Sequence, residues 1–333
     1  MCALPVMDDA FRCGSGPPTG AADRAVFAFG VLRPASGGGS VRCMELQARS
    51  LWLLTEPLHA VCYFDERCRG LGKDLGLKGF WMGYFASRTA PLGAVEPAAA
   101  TAILGGFAPG MVARALPAAW SIVSPAHVLD ERGSRAAHAL RRIDPELDDA
   151  AAELLPPLQA VVDEAPATAR PLFAANRALC DHADPVERLW QLATAVREFR
   201  GDAHHAVLAD EGLDGCEALV LAAASGRVPK DTMREDRGWT EEEWAAAADR
   251  LRSRGLVDAH GDATDHGRRE RERIEEATDR LAGRLLRALP EAETEGLLHG
   301  LEPVVRRILA ADVLPFPNPI GLPHLDEPVR RDT

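Results

Sequence analysis

Aromatic residues make up only 5% of the 333 positions, and strand-like alternation of apolar and polar side chains is scarce. Both shortages count against β-sandwiches and barrels. No apolar run approaches the roughly 18–20 residues of a membrane span. Basic residues are outnumbered, 38 against 50 acidic, for a formal charge of −12. That balance excludes a nucleic-acid-attracting field over the whole molecule and leaves room only for a local basic patch. No glycine-rich phosphate loop is present, because Gly14-Ser15-Gly16 and Gly37–Gly39 lack a strand before and a helix after. There is no GxSxG elbow and no CxxC pair. The seven cysteines (Cys2, Cys13, Cys43, Cys62, Cys68, Cys180, Cys216) are odd in number, and so long a chain needs no staples. Reduced thiols and a cytoplasmic location are the expectation.

What is there is a globular composition, 47% hydrophobic, on a length that suits about two domains of roughly 150 residues. Residues 1–43 stand apart, with Gly/Pro/Ser clusters and no sustained periodicity. They read as a disordered tail or a mis-assigned start, with Met44-Glu45-Leu46 opening the first clear helix. Residues 44–145 and 186–290 then share an order of features. The first runs Leu51-Trp52-Leu53-Leu54, His59-Ala60-Val61, Gly76-Leu77-Lys78-Gly79, Arg114. The second runs Leu189-Trp190-Gln191-Leu192, His205-Ala206-Val207, Gly212-Leu213-Asp214-Gly215, Arg250. From the GLxG element to the late arginine the spacing is 38 residues in both halves. The pattern predicts an internal duplication. Residues 146–185 form a partly helical linker, and 291–333 a helix followed by a Pro-rich tail on the surface.

Capping signals predict a mainly α protein. Asp184-Pro185 opens a helix over 186–200, and Thr240 with Glu243 forms a capping box that Gly255 closes. The segment Thr240–Asp258, with its helix ending in Leu251 and then Arg254-Gly255-Leu256-Val257, resembles the recognition helix and wing approach of MarR-like winged-helix regulators. The resemblance covers residues 205–289. It implies two winged-helix-like repeats in one chain with small β-hairpin wings (Val257–Gly267 for the second), a pseudo-dimer imitating what such regulators build from two subunits. Glu56–Val61 and Gly79–Phe85 extend the likeness to a largely uncharacterised actinobacterial family of helix-turn-helix-like proteins, from which no function carries over.

The departure from the regulator pattern lies where bases would be read. A groove-reading helix offers its N-terminal side chains to the duplex, and here these are Thr240, Glu241, Glu242 and Glu243. The corresponding first-half helix, 109–120, is mostly apolar. Cations come late, at Arg250, Arg252, Arg254, Arg268 and Arg269.

Polar stripes on otherwise apolar helices offer another use. Trp52, Glu56, His59 and Tyr63 share one helix face, as do Trp190, Arg197, Arg200 and His204, with Glu198, Asp202 and His205 alongside. A junction between the halves lined by Trp52, Glu56, His59, Arg197, Arg200, Asp202 and His204 suits a small organic ligand, especially an anionic one, because Arg offers forked donors and His moves a proton near neutral pH. Arg88, below the aromatic run Phe80–Phe85, is a further anchor. The blander readings stand beside it: His59 as a hydrogen-bonded core residue, Glu198 with Arg197 and Arg200 as an ion-pair ladder, and Cys62 and Cys216 as small core residues. Glu56/His59 with Glu198/Asp202/His205 has metal-ligand types, but no second motif repeats them, and neither metal nor cofactor is expected. The leading expectation is a small-molecule-binding protein, an enzyme of specialised metabolism included. The alternative is a ligand-responsive DNA-binding regulator acting through the five late arginines, and a third is an acidic protein–protein adaptor.

Overall fold

The computed structural model describes residues 40–323. Among them lie fifteen α-helices and no strand. The expectation for residues 1–43 falls, as far as Gly39, outside the described residues. In the first half come α1 (Ser40–Phe64), α2 (Glu66–Arg69), α3 (Leu71–Asp74), α4 (Gly79–Thr89), α5 (Pro97–Leu104), α6 (Pro109–Ala115) and α7 (Pro125–Ile143). The connector carries α8 (Leu147–Asp163) and α9 (Pro171–Arg177). The second half has α10 (Pro185–Asp210), α11 (Gly215–Ala224), α12 (Lys230–Asp236), α13 (Glu241–Ser253) and α14 (Asp265–Ala282), and α15 (Glu291–Ala310) follows. No helix of the described residues is long and apolar enough to cross a membrane.

Three apolar clusters organise these helices. The central one joins α1, α7, α8, α9, α10 and α15 through side chains such as Leu58, Leu158, Leu189, Trp190 and Leu301. Leu58, Leu158 and Leu189 are fully buried, and each such leucine contributes about 1.5–3 kcal/mol. A first satellite gathers Phe85, Leu104, Phe107, Val112 and Leu116 from α4–α6. A second gathers Leu213, Val220, Leu221, Leu251 and Ile274 from α11, α13 and α14.

Local signals act as the chemistry of the chain ends requires. Asp184 accepts from the amides of Val186 and Glu187 at the start of α10. Thr240 and Glu243 close their reciprocal capping box on α13, and Gly255 follows it with φ +71°. Both GLxG elements end a preceding helix in the same way. Gly76 and Gly212 take φ +77° and +63°, and the next amide reaches back five residues, Leu77 to Gly72 O at 2.8 Å and Leu213 to Leu208 O at 2.9 Å. This paired closure is the Schellman arrangement, and it buries both leucines.

Several expectations are corrected. Among the described residues no β-hairpin wing forms: between α13 and α14 a single antiparallel bridge joins Val257 and Ala263. The Asp258 carboxylate binds the amides of His260 and Asp262, and Thr264 already caps α14, so too few residues remain for a ladder. The first-half helix expected over 109–120 stops at Ala115. Leu116 is extended and fully buried, and Pro117, which lacks an amide hydrogen, leads into a 3₁₀ turn at Ala118–Ser121. α10 runs ten residues past Arg200 because Arg200 and Asp202 both find partners. α1 begins at Ser40 rather than Met44. The segment after α15 does not merely lie on the surface, since Leu314, Asn318 and Leu322 are buried and Asn318 is bonded twice to Leu322.

Candidate functional site

α1 and α10 run antiparallel, and their polar stripes meet in a fixed register. His59 lies level with Thr194, Glu56 with Arg197, and Trp52 with Arg200. Arg197 donates from Nε to Glu56 at 3.0 Å and from Nη1 to Glu198 at 2.9 Å. Arg88 binds Glu198 at 3.1 Å from across the first satellite and also donates to the Tyr84 hydroxyl. Trp52 Nε1 donates to Glu56 at 3.1 Å. The arginines hold the Glu198 carboxyl below its ordinary range despite the opposing effect of burial. Removing one partner from such a chain strands buried charge, a loss of about 3–5 kcal/mol.

The imidazoles are neutral and their tautomers follow from the network. Thr194 gives its hydroxyl proton to Trp190 O, so His59 Nδ1 donates to Thr194 at 2.9 Å and Nε2 accepts from Tyr63 at 3.0 Å. Likewise Thr278 donates to Ile274 O, so His204 Nδ1 donates to Thr278 at 3.1 Å and its Nε2 remains an acceptor. Burial, with help from nearby arginines, drives His59 well below its ordinary pKa. Burial pushes His204 down to about 3. Asp202 turns the other way, accepting from the Phe173 amide at 2.9 Å, and burial raises it to about 6.

A half-open space of about 350 Å³ lies beside this seam, between α10, α11 and α14. Of the polar-stripe residues singled out from the sequence, Trp52, Arg200, His204 and His205 line it. Glu56, His59, Arg88, Arg197 and Asp202 do not line it; they bond to one another or to Thr194, Tyr63, Tyr84, Glu198 and the Phe173 amide, and Arg88 Nε lacks a hydrogen-bond partner among the described residues. Arg200 stacks on the Trp52 ring at 4.4 Å and donates to Glu275 at 2.6 Å and Asp279 at 3.0 Å. Sequence reasoning missed Arg227 and Arg271 on the same wall. Arg271 was legible: it stands three residues before buried Ile274 and four before Glu275, on the inward face of α14. Arg227 follows the positive-φ Gly226 after α11 and carried no signal. Buried nitrogens on all three arginines (Arg200 Nε, Arg227 Nε, Arg271 Nη1) lack hydrogen-bond partners among the described residues. Each such orphan costs about 1–3 kcal/mol. A larger depression, about 880 Å³ between α8 and α15, is mostly apolar and holds none of these arginines.

The helices that would face a duplex start from one place. The turn before α6 packs on the turn before α13: the Ala108 amide donates to Arg237 O at 2.9 Å, and Trp239 Nε1 donates to Gly106 O at 3.0 Å. Four residues separate Arg237 from Glu241, so the two helix starts lie within about 20 Å. Successive major grooves repeat every ~34 Å. On α13, Glu241–Glu243, Ala245 and Ala246 are exposed. Its arginines are engaged nearby: Arg250 with Glu217 and Asp214, Arg252 with Asp249, and Arg254 with Glu211 O and Gly212 O. Arg268 binds Asp265, and Arg269 is exposed.

A family model described as a helix-turn-helix family matches residues 48–315. No curated protein and no solved structure matches the chain.

Proposed function

We propose, from the premise that the chain belongs to this helix-turn-helix family, that it is a small-molecule-binding protein on the scaffold of a DNA-binding regulator. In this reading the base-reading surface is weakened. The observation that carries the proposal is the arginine-, tryptophan- and histidine-lined cavity between α10, α11 and α14. Cavities of this size, apolar with few polar anchors, are the usual form of a ligand site. The turn-to-turn contact and the carboxylates on α13 support the second part, since neither suits two half-sites on a duplex.

We also read residues 44–145 and 186–290 as repeats related to the MarR-like unit, joined by a linker at 146–185 and closed by 291–333, a pseudo-dimer within one chain. Support comes from the matching Schellman closures at Gly76 and Gly212. Apart from the short α2 and α3, which have no counterpart in the second half, the order of a long helix, three shorter ones and a second long helix (α1, α4–α6, α7; α10, α11–α13, α14) supports it too.

The test pairs two measurements on the full chain. Thermal melts with pooled cellular metabolites, followed by mass spectrometry of what stays bound, should show stabilisation, and Ala218→Phe, at the cavity wall, should abolish it. Gel-shift titrations on duplex DNA at two salt concentrations should show only weak binding. Tight binding with a steep salt dependence would favour the second reading, a ligand-responsive regulator using Arg250, Arg252, Arg254, Arg268 and Arg269. That reading draws on the exposure of α13 along most of its length.

A further inference from the structure

We infer that the cavity contains an oxyanion subsite formed by Arg200, Arg227 and Arg271, which receives the single carboxylate- or phosphate-like group of an otherwise apolar organic ligand. The inference rests on the small-molecule reading above and specifies the ligand's chemistry. Three guanidinium groups line the cavity against one carboxylate, Glu275. Glu275 is already held by Arg200 at 2.6 Å and Arg271 at 2.5 Å. Arg227 has neither a side-chain hydrogen bond nor an ion pair among the described residues, although it is largely buried. Positive charge is therefore in excess, and a buried guanidinium without a counterion is costly until an anion supplies one.

The neighbouring groups do not cancel that excess. Burial keeps His204 and His205 neutral, and Asp279 is taken by Arg200 and Arg49. The rest of the lining is apolar, with Leu208, Leu219, Ile274 and Val228 facing the space and Ile320 closing it from the C-terminal segment. That segment is held against the body of the protein: Pro319 O is bound by Arg237 at 2.7 Å, and Gly321 lies against Val228. A free inorganic anion would leave the apolar wall unused. An organic monoanion uses both parts.

Two fluorescent probes with one ring skeleton test this on the full chain: 1-anilinonaphthalene-8-sulfonate, and N-phenyl-1-naphthylamine, which lacks the sulfonate. The sulfonate should bind at least about tenfold more tightly. Arg227→Gln should remove most of that preference, leave the neutral probe unchanged and hold or raise the melting temperature, because Arg227 contributes no bond to the fold among the described residues and its unpaired charge is costly. Arg227→Lys should restore part of it. Equal binding of the two probes, or sulfonate binding indifferent to Arg227→Gln, overturns the subsite while leaving a ligand cavity in place if the neutral probe is excluded by Ala218→Phe. Failure of both probes to bind overturns the subsite and the cavity reading together.

Discussion

The two satellites flank the same central cluster and differ in what their surfaces present. In the first, Trp81, Tyr84, Phe85 and Phe107 meet ring to ring, and its last helix, α6, has seven residues. In the second, α13 has thirteen residues and exposed carboxylates, with its arginines tied to neighbours. The second satellite also reaches into the first, where Arg237 lies over the Phe107 ring at 4.7 Å. Such an arrangement ties the turns before α6 and α13 to each other and leaves the exposed start of α13 carrying carboxylates.

The largest effect should come from the aromatic side of this contrast. Phe85 is fully buried, so Phe85→Ala should cost about 3–5 kcal/mol in denaturant unfolding. Trp244, half-buried in the second satellite, should cost less on the same substitution. Equal losses would mean the two units are packed alike. Next come the closing glycines of the GLxG elements. A Cβ on Gly215 would meet Gly105 O at 1.8 Å, whereas one on Gly79 meets nothing. Gly215→Ala must push the halves apart, at about 1–3 kcal/mol or more. Gly79→Ala strains only its own φ of +72°, at about 1 kcal/mol. A reversed ranking, read from midpoints of chemical unfolding, would dissolve the interface between the turns.

The smallest effect is acid sensitivity, and its sign can be worked out. His204 has a folded pKa of about 3 against 6.5 unperturbed. The unfolded chain therefore binds the proton first, and stability present above pH 6.5 is lost as pH falls toward 3. His205 shifts the same way. Asp202, raised to about 6 from 3.8, works oppositely, regaining stability as pH falls through that interval. His59 on α1 is lowered too, so the histidines outweigh one aspartate; His204 and His205 line the cavity against α11 and α14, and hydrogen exchange at pH 5 should open α11–α14 before α4–α6. Simultaneous opening would contradict this asymmetry.

Much of the framework was readable from residues alone. The Thr240/Glu243 box, the Asp184-Pro185 start and the GLxG closures are local physics and act as their chemistry dictates. The prolines were not so transparent: Pro57, Pro156, Pro157 and Pro303 all sit inside helices, because tertiary packing outweighs the lost bond. The polar stripes lie on the facing helices α1 and α10, where most of their members are held by ion pairs and hydrogen bonds within the fold. Pairing across α1 and α10 depends on register, which no single-chain periodicity reveals. Gly105, Gly215 and Gly238 give the turn contact no sequence signal, since their role is to have no side chain where two backbones approach.

Burial has one more consequence, for the thiols. Cys62, Cys180 and Cys216 are pushed up to about 12, and Cys68 is raised as well. At neutral pH all four are essentially unreactive while the fold is closed. Because they sit in different parts of the molecule, their individual alkylation rates form a set of clocks, each timing how often its own neighbourhood comes undone.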